Sequence, residues 1–157
     1  MNITIRKAEA TDCPQMLKLV KELAMYERAP EEVTVSMEEF VDAGFGDQPV
    51  WEAFVAEVDG RIVGISLFYI RYSTWKGRRL YLEDIVVTEP MRGKGIGKLL
   101  FEETWELCKE RNYSGMAWQV LEWNEPAIQF YKKYGATFDE EWVNVSLEQK
   151  NDANEID

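Results

Sequence analysis

The stretch from Tyr81 to Glu103, YLEDIVVTEPMRGKGIGKLLFEE, constrains the fold of this chain more than any other. An apolar run of strand character ends at Val87, glycines follow at 93, 95 and 97, and Ile96, Leu99, Leu100 and Leu107 then recur at the spacing of a helix. A strand that passes through a turn into a helix comes back to the sheet parallel to itself, so a β-α-β crossover is written into this segment. Glycine costs about 1 kcal/mol in a helix relative to alanine, so glycines at a helix start mark backbone that something must approach closely. The free amides and positive end of the helix suit an anion as the guest, the alternative being a glycine-rich turn that holds no ligand. The two common phosphate loops do not fit. The Walker form requires glycine where Arg92 stands and Ser or Thr where Leu99 stands, and the dinucleotide fingerprint finds its third glycine, Gly97, one residue early. What remains is Arg92-x-x-Gly95-x-Gly97.

The rest of the chain supplies strands for the crossover to join. Asn2 to Lys7 alternates like a strand, Asp12 with Gln15 reads as a capping box, and Met16, Leu19, Val20 and Leu23 form the inner face of a helix. Ser36 with Glu39 starts a second, shorter helix. Trp51–Val58 and Arg61–Ser73 flank Asp59-Gly60 as a hairpin, and a third strand, Arg79 to Val87, follows the turn at Lys76-Gly77. Beyond the glycine turn come a helix, a strand at Gly115–Leu121, a helix at Pro126–Tyr134 and a strand at Asp139–Leu147. The expected class is α/β with a mixed sheet, antiparallel strands first and the β-α-β crossover after them. Residues 1–147 read as one domain and 148–157 as an acidic, frayed tail.

Histidine is absent, which removes the commonest general base and the commonest zinc ligand. Proton transfer falls to carboxylates, tyrosine, backbone or water, and no metal is expected. The formal charge of −11 argues against nucleic acid. Residues 139–157 carry −6 of it and the remainder −5. No apolar run suggests a leader or a membrane span, so a cytoplasmic location is expected. Cys13 and Cys108 form no paired motif and read as small buried thiols.

With Arg92-x-x-Gly95-x-Gly97 between a strand and a helix, the chain resembles the GNAT superfamily of acyl-CoA-dependent N-acyltransferases. Tyr81-Leu82-Glu83-Asp84, the turn Arg92 to Gly97, Glu122-Trp123-Asn124-Glu125-Pro126 and Phe130-Tyr131-Lys132 are similar to the diamine acetyltransferases of the spermidine/spermine type. So are Lys21-Glu22-Leu23-Ala24 leading into Tyr26-Glu27, and Gly44-Phe45-Gly46. The likeness runs from Ile3 to Ala136 and implies a GNAT-type fold, a homodimer and acetyl-CoA as co-substrate.

It also implies roles. Backbone amides of Arg92, Gly93, Lys94, Gly95, Ile96 and Gly97 would hold the CoA pyrophosphate, and Ile85, Val86 and Val87 would pair with the pantetheine arm as an extra strand. Lys94, Lys98 and Lys133 would add charge near the phosphates, or serve only as solvated surface lysines. Asn124 reads both as a cap for the helix carrying Tyr131 and as a contact to the cofactor, beside Ala127. Tyr131 would protonate the leaving thiolate, although its helical spacing with Ala127, Phe130 and Tyr134 is also that of a core residue. A primary amine of pKa about 10.4 must lose a proton before it can attack. Glu83 is the first candidate acceptor, directly or through water, and Ile85 N–H the donor to the developing oxyanion. Asp84 follows Glu83, and on a regular strand only one of the two can face a given side unless a bulge intervenes. Tyr26, Glu27, Trp75, Glu83 and Asp84 would line the channel for the amine, with Arg28 weakening the attraction for a long polycation.

The expected activity is transfer of an acetyl group to a small diamine, polyamine or lysine-like amino acid such as thialysine, by direct attack in a ternary complex. Acetylation of lysine on proteins would instead want an open groove. A non-catalytic acyl-CoA sensor would need neither Tyr131 nor Glu83.

Overall fold

The computed structural model describes residues 1–149. The elements are β1 (Thr4–Lys7), α1 (Cys13–Tyr26), α2 (Met37–Phe45), β2 (Glu52–Val58), β3 (Arg61–Ser73), β4 (Gly77–Val87), α3 (Ile96–Glu110), β5 (Met116–Ala117) and α4 (Glu125–Lys132). The chain falls into two compact units, Met1–Gln119 and a second from Val120 onward.

In the first unit five strands form one sheet in the order β1-β2-β3-β4-β5. The first four are antiparallel, and β5 lies parallel to β4 after the α3 crossover, which is the mixed α/β sheet that the order of elements requires. Each face of the sheet is apolar and each is covered. On one face Cys13, Met16, Leu17 and Leu19 of α1 and Phe40 of α2 cluster with Trp51, Ala53, Val55, Ile65, Leu67 and Val86. The other face carries α3. There the Ser66 and Thr104 hydroxyls lie 2.6 Å apart, fully buried, and Phe54 packs on Phe68. Gly64 admits α3 closely, since a Cβ there would lie 3.0 Å from Leu100 Cδ1 and 3.2 Å from the Val86 carbonyl oxygen. Both cysteines are buried free thiols. Among the described residues no helix is long and apolar enough to cross a membrane.

Several local expectations need correction. Asp12 and Gln15 do not form a capping box. Asp12 instead accepts from the Glu9 amide at 2.8 Å and from the Arg6 guanidinium, while Gln15 accepts from the Ile62 amide at 2.9 Å, so both side chains are engaged away from the first turn of α1. Ser36 does cap α2, accepting from the Glu39 amide. The strand expected over Gly115–Leu121 shrinks to Met116–Ala117, because β5 keeps a ladder with β4 only at Leu80 and Tyr81. The strand expected over Asp139–Leu147 is not formed: the segment has no ladder among the described residues and leaves Trp142, Val143, Val145 and Leu147 exposed. Alternation creates a strand's two faces, but only a neighbouring edge makes it a strand. Most of the acidic tail, residues 150–157, lies outside the described residues.

Candidate functional site

The shortness of β5 is what opens the site. β4 continues to Val87, but its ladder with β5 ends at Tyr81, so among the described residues no strand pairs with that edge from Leu82 to Val87. Ile85, Val86 and Val87 are held from the β3 side alone, opposite Ser66, Ile65 and Gly64. The open edge leads through the 3-10 turn Glu89–Met91 into the glycine turn. Gly93 and Gly95 have φ of +79° and +83°, a region that disfavours side chains, and nothing lies within 4 Å of where a Cβ would stand on either. No packing contact within the described chain therefore explains these glycines. The amides of Gly93, Lys94, Gly95, Ile96, Gly97 and Lys98 find no acceptor among the described residues, whereas Leu99 already donates to the Gly95 carbonyl. The Arg92 amide is engaged with the Glu89 carbonyl at 3.1 Å, which leaves the free amides from Gly93 onward.

Arg92 turns its side chain away from that turn. Its Nε donates to the Val87 carbonyl at 2.9 Å, its guanidinium lies 3.5 Å from Glu22, and it covers the Tyr26 ring at 5.3 Å. Glu22 in turn accepts from the Thr88 hydroxyl and the Glu89 amide, both at 2.9 Å. Sequence reading gave Glu22 no task, yet this α1 carboxylate fixes the segment that aims the glycine turn. Lys98 is exposed 3.9 Å from Glu102, and Lys94 is exposed.

The carboxylates meet on the α1 side of the sheet. Leu67 pairs with Asp84 and Phe68 with Leu82, so Glu83 is the extra residue of a bulge. Beyond it, Tyr69 pairs with Tyr81, their rings 5.3 Å apart, and the Tyr69 hydroxyl donates to Glu83 at 2.9 Å. Tyr69 and Leu67 share a face of β3, which places Glu83 and Asp84 on that same face. Burial, then the charges of Glu83 and Glu27, push the Asp84 carboxyl up to about 7. Burial also raises the Glu27 carboxyl at the end of α1. The Tyr69 phenol is raised by burial and by its bond to Glu83. Glu27, Glu83 and Asp84 are thus gathered around the end of α1 and the middle of β4, while Tyr26, at the same helix end, lies under Arg92. Trp75 is not gathered with them: it stands 86% exposed at the tip of the β3–β4 hairpin.

Within the second unit, Asn124 stands just before α4 at the N-cap position, and its side chain makes no capping bond there, so the capping reading fails. Asn124 and Tyr131 are buried, Ala127 is half-buried and Lys133 exposed. The Tyr131 ring meets Phe130 edge-on at 5.6 Å.

Tyr69 and Arg71, whose guanidinium lies 5.2 Å from the Tyr81 ring centre, are not singled out by the sequence, and Tyr81 enters there only as part of a motif, without a role. Alternation along Arg61–Ser73 does put Leu67, Tyr69 and Arg71 on one face, which was the available signal. The bulge, which brings both carboxylates to that face, leaves no mark in the letters.

Residues 13–136 match the Acetyltransferase (GNAT) family. The chain is 39% identical over 142 residues to a thialysine N-epsilon-acetyltransferase of Bos taurus, covering 85% of this chain and 84% of that protein. It is 35% identical over 139 residues to a human spermidine/spermine N(1)-acetyltransferase-like protein 1, covering 84% of this chain and 20% of that one. A solved aminoglycoside acetyltransferase from an uncultured soil sample shares the fold with a TM-score of 0.76 at 21% identity, covering 94% of this chain and 97% of that one.

Proposed function

The chain belongs to the acetyltransferase (GNAT) family and is an N-acetyltransferase, and from that premise we propose that it carries acetyl from acetyl-CoA to a primary amine of a small diamine, polyamine or lysine-like amino acid, by direct attack in a ternary complex. The donor fits the residues present. Free amides from Gly93 to Lys98 at the start of α3 suit a pyrophosphate, and the unpaired edge at Ile85–Val87 suits the amides of a pantetheine arm. Acetyl-CoA supplies an activated acyl group; the rest of the chemistry falls to this chain's side chains and backbone.

The observation that carries the reading is the pair Glu83 and Asp84 on one face of β4 beside that edge. The acceptor ammonium is attracted by Glu27, Glu83 and Asp84. Its proton passes to the pair, with Glu83 the first acceptor, held at one oxygen by Tyr69. Asp84, poised near neutrality, sets the charge that the pair can bear. The Ile85 amide faces the charge that develops on the acyl oxygen, and Tyr131 returns a proton to the leaving sulfur.

The test is a panel of amines with acetyl-CoA, read as free thiol released. Diamines or lysine-like amino acids should turn over with Glu83→Gln reduced by roughly 10²-fold or more. CoA binding with no thiol release on any amine would overturn the reading in favour of a sensor. Turnover on protein lysines alone would move the acceptor to macromolecules.

A further inference from the structure

The acceptor face has a positive end as well as a negative one. On β3 the residues Leu67, Tyr69 and Arg71 point to the same side, opposite Asp84, Tyr81 and Arg79 of β4. The Arg71 guanidinium sits over the Tyr81 ring at 5.2 Å, the Tyr81 ring packs on Tyr69 at 5.3 Å, and the Tyr69 hydroxyl ends on Glu83. Both tyrosines feel both charges: Glu83 pushes each phenol up and Arg71 pulls each down, against the larger upward effect of burial. Arg71 and Glu83 therefore face the two rings from opposite ends without joining. Arg6, Arg92 and Arg111 each reach a carboxylate. Arg71 forms no ion pair or hydrogen bond among the described residues, although the chain has a formal charge of −11.

We infer that Arg71 reads a carboxylate on the acceptor, so that this enzyme prefers an amino acid with its reactive amine at the far end of an unbranched chain over the corresponding diamine. The inference rests on the acetyl-transfer reading above, and on the acceptor amine lying at Glu83 and Asp84. A guanidinium that rests over a ring has its planar fork of donors steadied, and that fork matches a carboxylate in two parallel hydrogen bonds. A diamine would bring its second ammonium to the same place and meet a like charge. A residue that merely covered Tyr81 would do so for either acceptor, so the two roles separate by substrate.

Lysine with cadaverine, and ornithine with putrescine, are pairs that differ by the carboxylate, and kcat/KM for each pair is the measurement. The wild-type protein should favour the amino acid in both. Arg71→Gln should lower the ratio of amino acid to diamine by roughly 10- to 100-fold, mainly through KM, and Arg71→Lys, which keeps the charge and loses the fork, should fall between. A ratio that Arg71→Gln leaves unchanged, or a wild-type preference for the diamines, would overturn the inference while leaving acetyl transfer standing. If no amine releases thiol, acetyl transfer itself fails. Calorimetric binding with CoA present then decides Arg71 separately: lysine binding lost in Arg71→Gln supports a carboxylate contact, and equal binding overturns it.

Discussion

Glu83 and Asp84 are neighbours in the chain, yet both face the α1 side of the sheet, because the ladder steps from Leu67–Asp84 to Phe68–Leu82 and leaves Glu83 in a bulge. On a regular strand one of them would point at α3 and the apolar packing around Phe68. The bulge instead places two carboxylates together beside Glu27, and the proximity is what pushes Asp84 beyond the effect of burial alone. Such a pair does not ionise twice without cost, so it holds a proton close to neutral pH, and a base poised there suits an amine acceptor.

Stability should record the same strain. The Asp84 carboxyl keeps its proton up to about pH 7 when folded and releases it near 3.8 when unfolded. Between those values the folded chain binds more protons, so this group makes stability fall as pH rises, with the full penalty above about pH 7. Asp84→Asn keeps the shape without the charge. It should be more stable than the parent at pH 8, by roughly 1 to 3 kcal/mol, and nearly equal to it at pH 4. Denaturant midpoints at the two pH values check this, and the same difference at both would mean that Asp84 is not ionised against its surroundings.

Gly97 offers the cleanest probe of the turn. It is the second residue of α3, its φ is not in the left-handed region, and a Cβ there would meet only Val87 Cγ2 at an ordinary 3.8 Å. Gly97→Ala should leave the melting temperature unchanged or raise it, since alanine is the better helix former by about 1 kcal/mol. CoA affinity should nevertheless drop by roughly 10-fold or more, because the methyl stands beside the free amides. Gly95→Asp should also weaken CoA through bulk and like charge, but at φ +83° it adds backbone strain of its own. Unchanged affinity in Gly97→Ala would take the phosphates away from this helix end.

The crossover depends on a buried hydroxyl pair. Thr104 donates to the Leu100 carbonyl at 2.8 Å, so its single proton is spent and Ser66 must donate to it across the 2.6 Å contact. Thr104→Val keeps the volume and leaves the Ser66 hydroxyl without an acceptor. Chemical denaturation should show a loss of about 1 to 3 kcal/mol, most of it recovered in the double variant Ser66→Ala/Thr104→Val. Additive losses in the double variant would show that the hydroxyls act separately.

How far the letters reached follows from what each feature depends on. The hairpin at Asp59-Gly60, the strand entering the glycine turn and the helix leaving it are set by local chemistry, and each was legible. The capping of α1 was not, because Asp12 is claimed by Arg6 and the Glu9 amide, and Gln15 by Ile62, a partner that only folding brings near. Nor was the Asp139–Leu147 segment, whose alternation specifies two faces but no neighbouring edge. At the site, residue types and motif named Glu83, Asp84 and the glycines. Tyr69 and Arg71 needed the β3–β4 register, and the shared face of Glu83 and Asp84 needed a bulge that no single residue announces.

Tyr131 is where packing and chemistry make opposite predictions. Its side chain is buried on α4 with its ring against Phe130, which is what a residue of the helix's inner face would show. If the hydroxyl returns the proton to the leaving sulfur, Tyr131→Phe keeps the ring and removes the proton, and turnover should fall by roughly 10²-fold or more, with CoA and amine affinity little changed. A phenol is a weaker acid than a free thiol, by about 1.5 units, but a thiolate released into an apolar cleft becomes more basic, which closes that gap. If the residue only packs, the same change deletes one hydroxyl, and turnover should hardly move while the melting temperature shifts by whatever that hydroxyl contributed. Single-turnover rates with chemistry limiting, measured beside the melting temperature, separate the two. Near-normal turnover would assign the proton to water or to the amine itself, and lost turnover at an unchanged melting temperature would assign it to Tyr131.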